Sequence, residues 1–318
     1  MANVLASPRF WRKKAVLLKI DAVYDTDPVP TGAANWFEAR NVALTQVDAK
    51  LVDRNIDQEY LGHAGKVIAD TWSKLSFDIA LAGSGTVAVA PKWAPMVLAC
   101  GFAETITPVT GPVVYNLVSS GFASCTAYLN IDGTLHKFVS CRGELKVKID
   151  AGSIPVLSVE LTSKYTAPVA SAMFTPITKT GWTTEKAVNS TNTGKVTINA
   201  VDLAFSQFEY ATGNNIVRLS LPGPQREVVI TDRKPTASIT VLAPALGTFD
   251  PYALQQARTN VALSNIHETV TNAKVTSALK VIINDVKETE VESMLAYQLT
   301  MEPTPTSAGN DEITITNS

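Results

Sequence analysis

The stretch RGELKVKIDAGSIPVLSVELTSKYTAP, residues 142–168, decides the fold because it contains two runs of alternating apolar and polar residues. The first run covers residues 145–150 and the second covers residues 157–162. A period of two places successive side chains on opposite faces of a β-strand. Ala151-Gly152-Ser153 and Pro155 punctuate the link between the runs. The stretch therefore predicts two β-strands with one face against a core.

The same pattern returns near the C-terminus, where runs at 279–283 and 295–299 flank a polar link. The triplets Leu145-Lys146-Val147 and Leu279-Lys280-Val281 share their letters and their register. The matched positions lie 134 to 138 residues apart. The alternation predicts a mainly β protein, and its recurrence at this spacing predicts two fused β modules, each with a short α-helix.

The order of elements suggests where these modules begin and end. Residues 175–194 are rich in Thr, Asn and Gly and form the best linker candidate. We therefore expect a first module over residues 1–174, with an N-terminal arm at 1–12, and a second over residues 195–318. Asp53-Arg54 is echoed by Asp232-Arg233, and the second module is expected to lack the long insertion that follows this pair in the first.

Composition excludes several classes of protein. Hydrophobic residues at 46% and charged residues at 18% indicate a folded chain rather than a disordered one. A net charge of −2 gives no sign of a basic nucleic-acid-binding surface. The three cysteines, Cys100, Cys125 and Cys141, include no CxxC pair and suit free thiols in a reducing compartment. The longest apolar run, residues 93–103, is shorter than the about 20 residues that a membrane helix needs.

The residues give no sign of catalysis or of metal and cofactor binding. His63, His136 and His267 lack the spacing of metal ligands. Gly83-Ser84-Gly85 fits neither a nucleophile elbow nor a phosphate-binding loop and is read as a turn. We therefore expect no enzyme activity and no cofactor.

Two polar segments stand out. Residues 55–70 follow a strand at 42–54 and are expected to form a long hairpin loop, a kind of loop that is usually functional or mobile. The second segment is acidic and lies in the expected link of the C-terminal strand pair. It is either a solvated link or a surface that repels an anionic partner. Its acidic residues are Asp285, Glu288, Glu290 and Glu292.

Several short segments together resemble the tail tube (major tail) proteins of long-tailed, siphovirus-like bacteriophages. They are Trp93–Phe102 (WAPMVLACGF), the Asp132-Gly133 turn, Arg142-Gly143-Glu144, Tyr165–Pro168 and the close of the chain at 309–316. The resemblance covers most of the chain. It implies that the two fused modules are β-sandwiches or barrels, each with a short flanking α-helix. It also implies a structural virion protein that polymerises into stacked rings, encloses the tape measure protein and conducts DNA during ejection.

The resemblance also implies partners and a location. The subunit would contact other copies of itself, the tape measure protein, the tail terminator and distal tail proteins, and transiently DNA without sequence specificity. It would reside in the virion tail after assembly in the bacterial host cytoplasm. Single-module relatives form six-fold rings, so two modules predict a trimeric ring with pseudo-six-fold symmetry.

The resemblance implies a role for each of the two polar segments. The long loop becomes a candidate arm that reaches an adjacent subunit or ring. Its candidate contact residues are Asp57, Gln58, Glu59, Tyr60, Leu61 and His63. The acidic link, Asp285 to Glu292, becomes a candidate DNA-repelling surface, because attractive contacts to phosphate would hold DNA in place.

Two alternatives stay open. One is the tube of a secretion system or another ring-forming β protein of the same fold. The other is a β-sandwich adhesion or carbohydrate-binding module, which would favour exposed clusters of aromatic residues. The five tryptophans are scattered along the sequence, which argues against the second alternative.

Overall fold

A computed structural model describes residues 8–223 and 225–318 of the chain. Strands make up 51% of it and helices 5%, and the strands form large antiparallel sheets. The mainly β fold expected from the alternating pattern is therefore confirmed. The apolar face of most strands lies in one continuous core that contains residues from both ends of the sequence.

The first half of the chain, residues 8–174, contains ten strands and two short helices among its described residues. In chain order they are β1 (Lys14–Ile20), α1 (Gly32–Asn35), β2 (Trp36–Phe37), β3 (Arg40–Asp53), β4 (Lys66–Ala80), α2 (Ala94–Ala99), β5 (Phe102–Ile106), β6 (Val113–Leu117), β7 (Cys125–Ile131), β8 (Thr134–Asp150), β9 (Val156–Lys164) and β10 (Val169–Ala170).

The second half, residues 195–318, contains ten strands and one helix in its described part. They are β11 (Val196–Ile198), β12 (Val201–Leu203), β13 (Phe205–Ala211), β14 (Asn214–Ser220), β15 (Arg226–Arg233), β16 (Thr236–Leu242), α3 (Pro251–Ala257), β17 (Val261–His267), β18 (Val275–Val291), β19 (Met294–Pro303) and β20 (Ile313–Asn317).

Residues 142–168 form the hairpin that their alternation predicts. The strand β8 runs through Arg142 without a break, turns at residues 151–155 and returns as β9. Leu145, Val147 and Ile149 are buried, as the apolar face requires. The first part of β8 pairs with β7 and the second part pairs with β9, so one long strand connects two groups of strands.

The two halves of the chain pair their strands in the same order. Each contains a 17-residue strand, β8 or β18, that pairs first with the strand before it and then with the strand after it. From there the pairings run β9–β4–β3 in the first half and β19–β16–β13 in the second. On the other side, β7–β1–β2 corresponds to β17–β11–β12.

The clearest local match lies in two hairpins. Val67-Ile68-Ala69-Asp70 on β4 and Val229-Ile230-Thr231-Asp232 on β15 are 162 residues apart. In both hairpins the ladder skips the third of these residues, Ala69 or Thr231, which forms a β-bulge. The same irregularity at the same place fixes how the two halves correspond.

This correspondence corrects the expected spacing of 134 to 138 residues. Leu145 pairs with Val159 of β9, whereas Leu279 pairs with Leu263 of β17, so the matched triplets occupy different parts of their strands. The β5–β6 hairpin lies between α2 and β7, whereas only residues 258–260 separate α3 from β17. The spacing between corresponding residues therefore changes along the chain.

One other sequence expectation is also wrong. Asp53 ends the outgoing strand β3, while Asp232 lies on the returning strand β15, so their echo is not structural. Only residues 234–235 follow Asp232-Arg233 before β16, so no long insertion follows this pair, and the second half instead has β14 and β15 as a separate hairpin. The two excursions differ in the connecting residues, 54–65 in the first half and 221–225 in the second.

Two pairings join the halves into one sheet. Residues 207–211 of β13 pair with residues 146–150 of β8. Residues 314–317 of β20 pair with residues 113–116 of β6. Each half thus supplies strands to the edge of the other, and the division of the chain into two domains stays a prediction.

The expected linker and N-terminal arm both pack on the first half. Residues 175–194 contain neither helix nor strand, yet Trp182 lies edge-on to Phe37 with ring centroids 5.6 Å apart. Of the expected N-terminal arm, residues 1–7 lie outside the described residues. Phe10 donates its N–H to the carboxylate of Asp132 at 2.6 Å, which holds this segment at the β7–β8 turn.

Gly143 lies where β8 changes its partner from β7 to β9. A Cβ added there would lie 2.3 Å from the carbonyl oxygen of Glu160. Because the backbone must move to make room, we expect Gly143→Ala to lower the free energy of unfolding by about 3 kcal/mol in urea denaturation. Gly152→Ala is the matched control, with open space around its Cβ and an expected cost of about 1 kcal/mol for its left-handed conformation. Equal losses in the two variants would contradict this role of Gly143.

Candidate assembly surfaces

Two hairpins extend from the shared sheet. We call the distal part of β3–β4, residues 48–70, the first hairpin arm, and β14–β15, residues 214–233, the second hairpin arm. The candidate contact residues of the long loop lie at the exposed tip of the first arm, between residues 54 and 65. They are Asp57, Gln58, Glu59, Tyr60, Leu61 and His63. The loop is shorter than the expected 55–70, because Lys66–Asp70 belong to β4.

The second hairpin arm is docked on the first half of its own chain. The buried guanidinium of Arg142 forms an ion pair with Glu227 at 2.8 Å and donates to the carbonyl oxygen of Val228 at 2.7 Å. The N–H of Val228 donates to the phenol oxygen of Tyr24 at 2.8 Å. Burial in this contact raises the pKa of Tyr24 to about 12. The arm is thus fixed by backbone and side-chain contacts together.

The two hairpin arms also contact each other. Arg218 forms an ion pair with Asp48 at 2.6 Å, and Arg226 forms one with Asp70 at 2.5 Å. The Arg226 guanidinium lies 5.1 Å from the centroid of the Trp72 ring, within reach of a cation–π interaction. The second arm therefore packs along one side of the first.

Asp70 is held as a carboxylate by this contact. Partial desolvation favours its protonated form, but the Thr71 N–H, the Ser220 hydroxyl and the Trp72 indole donate hydrogen bonds to it. Together with the charge of Arg226, these bonds hold the pKa of Asp70 below its usual range. Asp70 is therefore a charged partner for the second arm at neutral pH.

The two arms have the same backbone pairing but differ in how much of their apolar surface is buried. On the second arm, Ile230 pairs with Ile216 across the hairpin and is only 7% exposed. The corresponding pair on the first arm, Leu51 and Ile68, is 53% and 62% exposed. Further exposed apolar residues on the first arm are Val52, Ile56, Tyr60, Leu61 and Val67. The first arm carries a large apolar surface that nothing in the described chain covers.

Two strand edges are unpaired in the same way. Within the described residues, β3 pairs only with β4, and residues 287–291 of β18 pair only with β19. Their counterparts in the other half are β13 and residues 146–150 of β8, which pair with each other. We call the pairing of β8 with β13 the internal joint. The chain thus contains one complete joint and two unpaired edges that correspond to the two sides of a second.

The acidic residues do not lie in a link, which corrects the sequence expectation. The strand β18 continues to Val291, and only Glu292 and Ser293 form the turn. Asp285, Glu288 and Glu290 therefore lie on the strand, next to its unpaired edge. Their polarity on both faces made this part of the strand look like a loop.

The histidines and cysteines either are buried or contact neighbouring side chains of the same chain. In the described part of the chain, no three His, Cys, Asp or Glu residues come together as a metal site. The three cysteines are free and buried. His267 is buried and shares a hydrogen bond with Thr193, and its burial lowers its pKa. His136 contacts Gln46 at 2.7 Å, and His63 contacts Asp53 at the arm tip.

Comparison with known proteins does not assign the chain. No protein-family model matches the sequence, and no curated protein matches it. None of the described helices has the length and apolar character needed to cross a membrane.

Sequence reasoning located the first hairpin arm but missed the docked second arm. The signal that could have found it is the repeated Val-Ile-x-Asp at residues 67–70 and 229–232. Its spacing of 162 residues differs from that of the triplets in the long strands. The buried position of Arg142 beneath the second arm has no sequence signal, because the partner strand is remote in the chain.

Arg142 is the residue that fixes the second arm, and its removal should be costly. We expect Arg142→Ala to lower the free energy of unfolding by about 3 kcal/mol, because Glu227 and several carbonyl oxygens lose a buried partner. Arg218→Ala is the matched control, since its ion pair with Asp48 is about one-third exposed on each side. It should cost less than about 1 kcal/mol. Similar losses in guanidinium denaturation would mean that Arg142 does not anchor the arm.

Proposed function

We propose that this protein is a structural subunit that polymerises through its sheet edges into rings, and that stacked rings form a phage-type tail tube. The observation that carries the proposal is the joint between β8 and β13 together with the unpaired edges of β3 and β18. Unpaired strand edges are templates for pairing with another chain, and ring closure removes them.

The internal joint supplies the register of the joint between copies. Residues 207–211 pair antiparallel with residues 146–150 inside the chain. The corresponding edges are residues 40–45 of β3 and residues 287–291 of β18. In the proposed ring, residues 40–45 of one copy pair with residues 287–291 of the next. This contact is head to tail. Repeating it produces a closed ring when the rotation between copies closes and an open filament when it does not, and the proposal is the closed ring.

The number of copies follows from the recurrence of the fold. Each chain fills two similar positions, so three chains make the six positions that the resemblance to tail tube proteins implies. In this ring, positions alternate between the first half with its longer arm and the second half with its docked arm. The ring has exact three-fold and approximate six-fold symmetry.

The remaining parts of the proposal rest on the resemblance. Stacked rings enclose a tape measure protein during assembly in the host cytoplasm, meet tail terminator and distal tail proteins at the two ends, and belong to the virion tail. DNA passes through the lumen without sequence-specific contacts. The carboxylates of Asp285, Glu288 and Glu290 suit a surface on which DNA must not adhere.

The oligomeric state tests the proposal directly. Negative-stain microscopy of concentrated protein should show rings or tubes, and native mass measurement of single rings should give three chains. A ring of six chains would contradict two positions per chain. A protein that stays monomeric at every concentration would overturn the proposed function.

The loop at the tip of the first arm should be needed for tube growth. We expect a chain in which residues 54–65 are replaced by residues 221–225 to fold with an unchanged thermal midpoint, because the loop is exposed. Its assembly into tubes, followed by light scattering and microscopy, should be lost. Replacing residues 221–225 by a Gly/Ser sequence of equal length is the control, since this loop belongs to the docked arm. Tube growth at the normal rate in the first variant would remove the loop from the contact.

A further inference from the structure

The two hairpin arms offer an internal template for a contact that a single chain leaves incomplete. They share a bulge, the Val-Ile-x-Asp run and a cross-strand apolar pair. One arm is docked on the first half of the chain, and the other exposes the same surface. We propose that the first hairpin arm docks in trans on the second half of a neighbouring copy, in the way that the second arm docks in cis. This inference rests on the proposed ring.

The receiving surface is identified by correspondence with the cis contact. In cis, Arg226 of the second arm binds the Asp70 carboxylate and donates to the carbonyl oxygen of Thr71 at 2.6 Å. The residues at the corresponding places in the second half are Asp232 and Arg233. The first half of each copy therefore shows what a docked arm contacts, and the second half presents the corresponding residues.

These corresponding residues line an open cleft of about 420 Å³. Its other walls include residues 302–305 at the end of β19, residues 230–231 of the second arm, residues 234–235, Phe122 and Glu312. In the first half, the place of residues 302–305 is taken by the end of β9, which lies beneath the docked arm and contacts β15. The cleft is thus the second-half counterpart of the region that the second arm covers.

A buried polar group in this cleft lacks a partner. Glu312 is 2% exposed, and its Oε1 accepts a hydrogen bond from Arg233 at 2.6 Å, but its Oε2 has no partner among the described residues. Buried carboxylate oxygens are normally satisfied, so an unpartnered one indicates a missing donor. This oxygen lies beneath the surface of the cleft, so a donor of a docked arm reaches it only when the side chains that line the cleft move.

The residues that follow α2 and α3 identify one contact between a docked arm and its receiving surface that can be tested directly. Gly101 is the residue with a left-handed conformation that follows α2. The Cδ1 atom of Ile230, on the docked arm, lies 3.5 Å from the place that a Cβ atom would take at Gly101. The corresponding left-handed residue after α3 is Arg258. The counterpart of Ile230 on the first arm is Ile68. The proposal therefore places Ile68 of one copy next to Arg258 of another.

Disulfide and bis-maleimide crosslinking of assembled protein tests this pair. The double variant Ile68→Cys, Arg258→Cys should give a ladder of linked dimers and trimers, because the proposed contact brings the two thiols within reach of a bis-maleimide; a disulfide forms where their Cβ atoms come within about 4.5 Å. The matched control is Val67→Cys with Arg258→Cys, since Val67 lies on the opposite face of the same strand. The native cysteines are buried and do not compete. Each single variant should give no ladder.

The outcomes separate the inference from the proposed function. A ladder from the Ile68 pair and little from the Val67 pair, in protein that forms rings, supports docking in trans. Rings that form without a ladder from the Ile68 pair, or with equal ladders from both pairs, overturn the docking site while the ring stands. Protein that forms no oligomer overturns the ring and the docking together.

Discussion

The backbone pairing of β8 is the constraint on which the rest of the structure depends. Its 17 residues run through the core, and their N–H and C=O groups need partners along both edges. The strands β7 and β10 pair with its first part, and β9 and β13 pair with its second part. Since β13 comes from the second half, the first half is complete only when the second is folded against it. The counterpart strand β18 has the same length, and among the described residues no strand takes the place of this last partner along residues 287–291.

If the chain assembles as proposed, this difference leaves it with two unpaired edges that must be protected before assembly. Strand edges associate nonspecifically unless charges or bulges discourage it. Lys287, Glu288 and Glu290 mark the edge of β18, and Arg40 and the bulges of β3 mark the other. A strand edge with this charge pattern pairs with an edge of complementary charge and discourages pairing with other edges. In the proposed ring, the acidic residues would serve the specificity of assembly as well as the lumen.

Most of the strands could be predicted because one face of each is buried. The periodic signal is strong for β8 and β9, where Leu145, Val147 and Leu157 alternate with polar residues. It fails where neither face is buried within the chain, as in the distal part of β18, whose residues 284–291 look like a loop. It also fails across bulges, since one extra residue changes the face of all that follow. Strands without a fully buried face in the described chain are therefore the ones that the sequence conceals.

The candidate surfaces were predictable only in part for a related reason. An exposed loop at the tip of the first arm follows from the polar run at residues 55–65. The docking of the second arm depends on contacts between positions far apart in the chain, such as Arg142 with Glu227, which no local pattern records. Short matches such as the Leu-Lys-Val triplets arise in any alternating strand and gave an incorrect spacing between corresponding residues. The Val-Ile-x-Asp match is informative because the same bulge accompanies it in both arms.

Joining two similar halves in one chain also changes how a ring would form. In the proposed trimer, every second joint is the internal β8–β13 joint, which is made when the chain folds. Only the β3–β18 joints depend on the concentration of subunits. Covalent linkage turns the first kind of association into an intramolecular one with a high effective concentration. The docked second arm then has a further consequence, since it holds the internal joint in the geometry that the first arm must reproduce between copies. The angle fixed by Arg142 and Glu227 inside one chain would thus set the curvature of the whole ring.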